Sequence, residues 1–249
     1  MENEGAALMR NTIKKASEVL CSPRGAAYLV CERRRFVCLV RHGQTDWNVT
    51  RRLQGRESVP LNDTGRSQAE ECGRMFRAAR DAGLEIAGVF TSPLGRAKDS
   101  AKYVTDALGL GDAVTEELLN ERDYGSLSGL TPEERRAKYT LGFHDPTIES
   151  VKDADGRMRE AVALMSGKCG DGAIVAVTHG GVINALFVTV TAGRLGTGKS
   201  VSENCSVSLV VAGSDATIPL AYGLTGDDFV RYVSEYSAML RVLRDQAPS

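Results

Sequence analysis

"FVCLVRHGQTDWN", residues 36–48, sets an apolar run, Phe36 to Val40, directly against Arg41-His42-Gly43. A strand that is apolar at every position is one buried on both faces, as in a sheet covered by helices above and below. "AIVAVTHGG", residues 173–181, repeats the arrangement, ending in His179-Gly180. The chain has three histidines, and two of them leave such runs with a glycine behind them. A single histidine in a core is more often structural than catalytic. Two at equivalent strand ends reverse that weighting, and the glycines are expected to let the chain turn sharply into the next element.

Working outward, strands are predicted at 36–41, 86–91, 113–118, 173–178, 205–211 and 217–222. Helices are predicted at 63–82, 93–108, 132–140, 153–167, 181–192 and 226–243. The last has Phe229, Val233, Tyr236, Leu240 and Leu243 on one face. Strands alternating with helices imply a mostly parallel sheet with helices on both sides, an α/β fold. In such sheets ligands bind outside the carboxyl ends of the strands, the edge at which His42 and His179 emerge.

The bulk properties bound the function. The chain has 249 residues, is 42% hydrophobic and 25% charged, and carries a net charge of −1. That is the composition of a globular protein with room for a full core. It offers no electrostatic footprint for nucleic acid, and no apolar run is long enough for a membrane span. Six scattered cysteines with no C-x-x-C pair, and no signal-peptide pattern, predict a reducing, cytoplasmic setting without disulfides. Residues 1–35 read as an N-terminal extension with a short helix (Met9, Ile13, Ala16, Leu20) broken by "SPRG" at 22–25, and 36–249 as the domain. Glu2, Glu4 and Glu18 argue against a mitochondrial presequence.

The charges beside the histidines identify the ligand class. Arg41 adjoins His42, and Arg96 lies in "TSPLGRAKDSA". There Ser92 reads as an N-cap and Pro93 as the first helical residue, which puts Arg96 in a helix's first turn. Two arginine forks and a helix N-terminus make a phosphate site. A zinc site would need a third ligand and would be repelled by the arginines, so neither metal nor other cofactor is expected.

At this point a family can be named. "LVRHGQTDWN", "RLQGRESVPLNDTGRSQA", "FTSPLGRAKDSA", "LNERDYGSLSGLTPEE" and "VTHGGVINAL" resemble, in order, the motifs of the histidine phosphatase superfamily, also called the phosphoglycerate mutase family. The resemblance spans roughly residues 36 to 215. It implies a three-layer, Rossmann-like α/β/α sandwich and a phosphohistidine intermediate. It further implies His42 as the nucleophile, with Arg41, Arg96 and His179 binding the phosphoryl oxygens. Asn48, Gln54 and Gly180 would add contacts, and Glu121 would be the general acid and then the base. A nucleophilic His42 must be neutral, so its other nitrogen needs an acceptor.

Within the superfamily, "LNERDYGSLSGL" leans toward the mutases, while three departures favour the phosphatases. The 58-residue step from Glu121 to His179 is too short for the mutase insertion. Pro132 stands where mutases carry a substrate-binding lysine, and His179-Gly180-Gly181 replaces their His-Gly-Asn. An open site also exposes phosphohistidine to water. The reading is therefore a phosphatase for a small phosphorylated substrate, with mutase as the alternative. Pocket walls are expected from 125 to 150, where His144 reads as a loop residue. Glu149-Ser150 resembles part of a Gly-Glu-Ser element without a clear role. "GRLGTGKS", 193–200, matches a P-loop in spacing, but it follows a helix and precedes a strand, the reverse of what a P-loop needs. A silent binding module would be expected to lack some of Arg41, His42, Arg96, Glu121 and His179, and all five are present.

Overall fold

The two apolar runs pair side by side at the centre of the sheet. β1 (Arg35–Arg41) lies parallel to β4 (Ala173–Thr178), with Arg41 opposite Thr178. His42 and His179 therefore leave adjacent strands at the same edge. The computed structural model describes residues 35–140, 143–170, 172–212 and 216–245. The extension drawn at 1–35, with its helix, lies outside them except for Arg35, which opens β1.

β2 (Ile86–Thr91), β3 (Val114–Thr115), β5 (Val207–Ala212) and β6 (Thr217–Leu224) complete a sheet of order β3-β2-β4-β1-β5-β6. β5 runs antiparallel to both of its neighbours, and the other pairings are parallel, so the sheet is mostly parallel as expected. The helices are α1 (Asp46–Val49), α2 (Asp63–Asp81), α3 (Gly95–Leu108), α4 (Pro132–Thr140), α5 (Val151–Lys168), α6 (Gly180–Val190) and α7 (Gly226–Asp245). Phe36, Cys38 and Val40 of β1 face a core shared with α2, α3 and α7, and Val37 and Leu39 face one shared with α5 and α6. Alternate strand side chains thus feed opposite cores, which makes the three layers. In the first core Phe76 meets Phe229 edge-on at 5.1 Å between ring centres, each burial worth about 1.5–3 kcal/mol. Among the described residues, no helix is long and apolar enough to cross a membrane.

The structure corrects several expectations. Ser92 is not an N-cap: α3 begins at Gly95, and its cap Leu94 makes no side-chain cap bond. The Ser92 hydroxyl meets His179 Nε2 at 2.7 Å and also accepts from the Leu94 N–H, ahead of the helix, at 3.3 Å. Arg96 still falls in the first turn. The strand expected at 113–118 shrinks to Val114–Thr115, because the Glu116 side chain accepts from the Leu118 N–H and starts a 3₁₀ turn, Glu117–Leu119. The glycine after His42 has no positive φ. It is needed for close approach: a Cβ there would lie 2.3 Å from the Gly65 carbonyl oxygen on α2. The 193–200 loop joins α6 to β5, and its Gly196 N–H is used internally by the Ser200 hydroxyl at 2.8 Å.

Candidate active site

The site is built where β1 and β4 end. His42 is 2% exposed, and its Nδ1 lies 2.7 Å from the Gly43 carbonyl oxygen, an atom that can only accept. Nδ1 therefore carries the proton, and Nε2 keeps its lone pair. Arg96 Nε donates to that Nε2 at 3.2 Å, which agrees with the same tautomer. The acceptor left open by the sequence is thus the neighbouring main-chain carbonyl. Burial first, then the charges of Arg96 and Arg41, push His42 well below the ordinary imidazole value, against the Gly43 bond that raises it.

Arg96, 1% exposed, donates Nη1 to the Glu57 carbonyl and Nη2 to the Gly55 carbonyl, both at 2.7 Å. Burial draws its guanidinium down to about 10, still charged at neutral pH. Arg41 donates through Nη1 to the Ser202 carbonyl, while its buried Nε has no partner among the described residues. His179 caps α6, and its ring centre lies 5.1 Å from that of His42. Its Nε2 meets the Ser92 hydroxyl at 2.7 Å, and its buried Nδ1 has no partner among the described residues. Unpaired buried polar atoms are costly. Arg41 Nε, His179 Nδ1 and Gln54 Oε1 lie unpaired among the described residues at one site, and the charges of Arg41 and Arg96 there favour an anion as the missing partner.

Glu121, 7% exposed, sits on the N-terminus of α6. One carboxylate oxygen accepts from Gly181 N at 3.0 Å and the other from Val182 N at 2.9 Å and Arg122 N at 2.8 Å. A Cβ on Gly181 would fall 2.3 Å from the Tyr124 hydroxyl and 2.6 Å from a Glu121 oxygen, so a larger residue there would push both side-chain tips aside. Asn48 uses its amide oxygen to accept from Thr45 N at 3.0 Å and Asn204 Nδ2 at 3.3 Å, which leaves its amide nitrogen for a ligand.

A cavity of about 210 Å³ joins these groups. Arg41, His42, Asn48, Gln54, Glu121 and Gly180 line it, together with Arg52, Tyr124, Asn184 and Ser202. Arg96 lies beneath, against His42. All eight sequence-derived site residues are therefore brought to one place: seven around the cavity or His42, and His179 behind His42. The expectation of walls from 125 to 150 does not hold for the described residues of that stretch, none of which lines the cavity. The stretch is tied to itself, with Asp145 accepting from Ser126 and Thr147. His144 is exposed and away from the cavity. Sequence reasoning missed Ser92, Tyr124 and Asn204, which are ordinary polar residues with no spacing signal. Among the described residues, no three His, Cys, Asp or Glu gather where they could hold a metal.

One pH prediction arises directly. Both His42 and His179 are held well below the ordinary value of 6.5, by burial first and then by the Arg96 charge. The folded state therefore refuses protons that the unfolded chain accepts. Stability is full above about pH 6.5 and falls as pH drops below it, by about 1.4 kcal/mol per pH unit for each histidine. Urea titrations between pH 7 and 5 check this: the His179→Gln variant should lose stability less steeply than the parent. Identical slopes would mean that His179 takes up its proton in the folded state.

Against this geometry the comparisons with known proteins are direct. The chain belongs to the histidine phosphatase superfamily (branch 1), whose family model matches residues 37–224. It is similar to the uncharacterised phosphatase PhoE of Bacillus subtilis (strain 168), at 36% identity over 157 residues, 63% of this chain and 78% of that protein. It is also similar to a 2,3-bisphosphoglycerate-dependent phosphoglycerate mutase of Mesorhizobium japonicum, at 30% identity over 210 residues, 79% of this chain and 95% of that one. Among solved structures, a mycobacterial glucosyl-3-phosphoglycerate phosphatase superposes with a TM-score of 0.64 at 25% identity, covering 77% of this chain and 100% of that one. YhfR of Bacillus stearothermophilus gives a TM-score of 0.66 at 26% identity, covering 77% and 98%.

Proposed function

We propose that the chain is a phosphomonoester hydrolase of the histidine acid type, which passes the phosphoryl group of a small phosphorylated metabolite through His42 to water. The observation that supports this reading is the His42 ring, with Nδ1 tied to the Gly43 carbonyl so that Nε2 keeps its lone pair, held by Arg96 Nε, beside Arg41 Nε and His179 Nδ1, which have no partner among the described residues. The ester phosphoryl group enters the cavity and displaces Arg96 Nε from Nε2 onto one of its own oxygens. Nε2 attacks phosphorus in line, the N–P bond forms, and the bond to the alcohol oxygen breaks. Glu121 gives that oxygen its proton, and the alcohol leaves. The Glu121 carboxylate then takes a proton from water as the water attacks phosphorus. The N–P bond breaks, and inorganic phosphate and free His42 are left.

The charge that builds on the phosphoryl oxygens is met by arginine and histidine donors, so no cation is needed to neutralise it. Activity is accordingly expected to survive exhaustive dialysis against EDTA at full rate. A loss that magnesium or zinc restores would overturn this account of the site. Unbridged buried thiols at Cys38, Cys72 and Cys205 support a reducing, cytoplasmic setting.

The mutase reading keeps one specific support, the 95% coverage of the Mesorhizobium japonicum mutase. The two readings differ in who receives the phosphoryl group. A screen of phosphomonoesters that scores free phosphate and isomerised phosphoglycerate together separates them. Free phosphate should dominate, and an excess of isomerised product would make the enzyme a mutase.

A further inference from the structure

Glu121 stands on a segment that has little regular structure of its own. After the 3₁₀ turn ends at Leu119, residues 120–124 belong to neither helix nor strand. Four bonds from distant side chains hold their main chain, two from Arg157 and one each from Glu149 and Arg56, whose Nε donates to the Glu121 carbonyl at 3.4 Å. Arg157, on α5, donates Nη1 to the Leu118 carbonyl at 2.7 Å and to the Asn120 carbonyl at 2.8 Å, and Nη2 to the Glu121 carbonyl at 3.4 Å. Its remaining donors form a fork on Glu149, both at 2.9 Å. Glu149 grips the far side of Glu121. Its carboxylate accepts from Asp123 N at 3.2 Å, its carbonyl from Arg122 Nη2 at 2.8 Å, and its N–H donates to the Asp123 carbonyl at 2.9 Å. Both side chains are mostly buried, at 16% and 13% exposure, where an ion pair is little screened.

We propose that Arg157 and Glu149 are positioning residues, a clamp that fixes where Glu121 presents its proton; the proposal rests on the reading of Glu121 as general acid. The Glu121 carboxylate is anchored at one end by the N-terminus of α6, and its main chain at the other by the clamp. Neither residue lines the cavity, so neither reaches the substrate. The clamp also gives Glu149 a role that its sequence context left open. Only arginine can do this, since the five bonds need a planar fork with donors on three nitrogens.

The test is Arg157→Lys, which keeps the charge and removes the fork. Because breaking a buried pair can cost folding, the neutral double variant Glu149→Gln/Arg157→Gln accompanies it, with thermal melts on both. Single-turnover phosphorylation of His42 is measured with an alkyl phosphate and with p-nitrophenyl phosphate, whose leaving group needs little protonation. The alkyl phosphate should lose about tenfold or more relative to p-nitrophenyl phosphate, the scale on which a displaced supporting shell acts. Orthovanadate affinity, which reads the anion cage, should stay within about twofold. Equal losses for both esters, or vanadate affinity falling in step, would reduce the pair to a structural brace. Glu121→Gln is run alongside. If it discriminates between the esters and the clamp variants do not, the clamp alone fails. If Glu121→Gln itself does not discriminate, the reading of Glu121 as acid fails first.

Discussion

His42→Ala is expected to lower turnover by about 10⁴-fold or more, the scale on which loss of a covalent nucleophile acts. The fold should survive, since Arg96 keeps its bonds to the Gly55 and Glu57 carbonyls when the imidazole is gone. The parent enzyme, quenched during turnover, should carry phosphate that is labile to acid and stable to base, as a phosphoramidate is. The variant should carry none. Substantial activity in a folded His42→Ala protein, or phosphate retained by it, would remove His42 from the nucleophile's place. The size of the effect follows from the geometry. His179, the other imidazole at the site, is turned with its Nε2 on the Ser92 hydroxyl and lies behind His42 rather than along the cavity.

Glu121→Gln should cost an alkyl phosphate about 10²-fold or more in the phosphorylation step, since an amide cannot supply an acid's proton. p-Nitrophenyl phosphate, whose departing phenolate needs little protonation, should lose much less. The ratio between the two esters is the useful quantity, because the substitution also perturbs the site. Each carboxylate oxygen of Glu121 accepts from main-chain N–H groups, Gly181 on one side and Val182 and Arg122 on the other. The amide NH₂ of glutamine must face one of these donors, at a cost of about 1–3 kcal/mol. That penalty falls on both substrates alike and cancels in the ratio. Equal losses would mean that the leaving group takes its proton from elsewhere.

Most of the fold was legible in local pattern. An all-apolar strand such as 36–40 can only be central and doubly covered, and residues 173–178 pair with it as a second. Elements shorter than their own period were not legible. α1, with four residues, left only the Thr45 and Asn48 capping box as its trace, and β3 has two residues. Ser92 misled for a related reason. A serine three residues before a helix offers the same local chemistry whether its hydroxyl caps that helix or bonds a histidine 87 positions away.

The sequence by itself determined the residue types of the site: two histidines at strand ends, the arginines that oppose a phosphate, and a carboxylic acid in a recognisable setting. It could do so because each lies in a short stretch whose meaning does not depend on distant partners. The tertiary structure alone decided the chemistry those types perform. The tautomer of His42 follows from where the Gly43 carbonyl and Arg96 Nε come to lie, and the seat of Glu121 follows from the approach of α6. That Tyr124, Asn184 and Ser202 line the cavity, and the described residues of 125–150 do not, is likewise a matter of packing. Hydrogen-bond direction and cavity shape are set by atoms far apart along the chain, and only folding brings them within reach of one another.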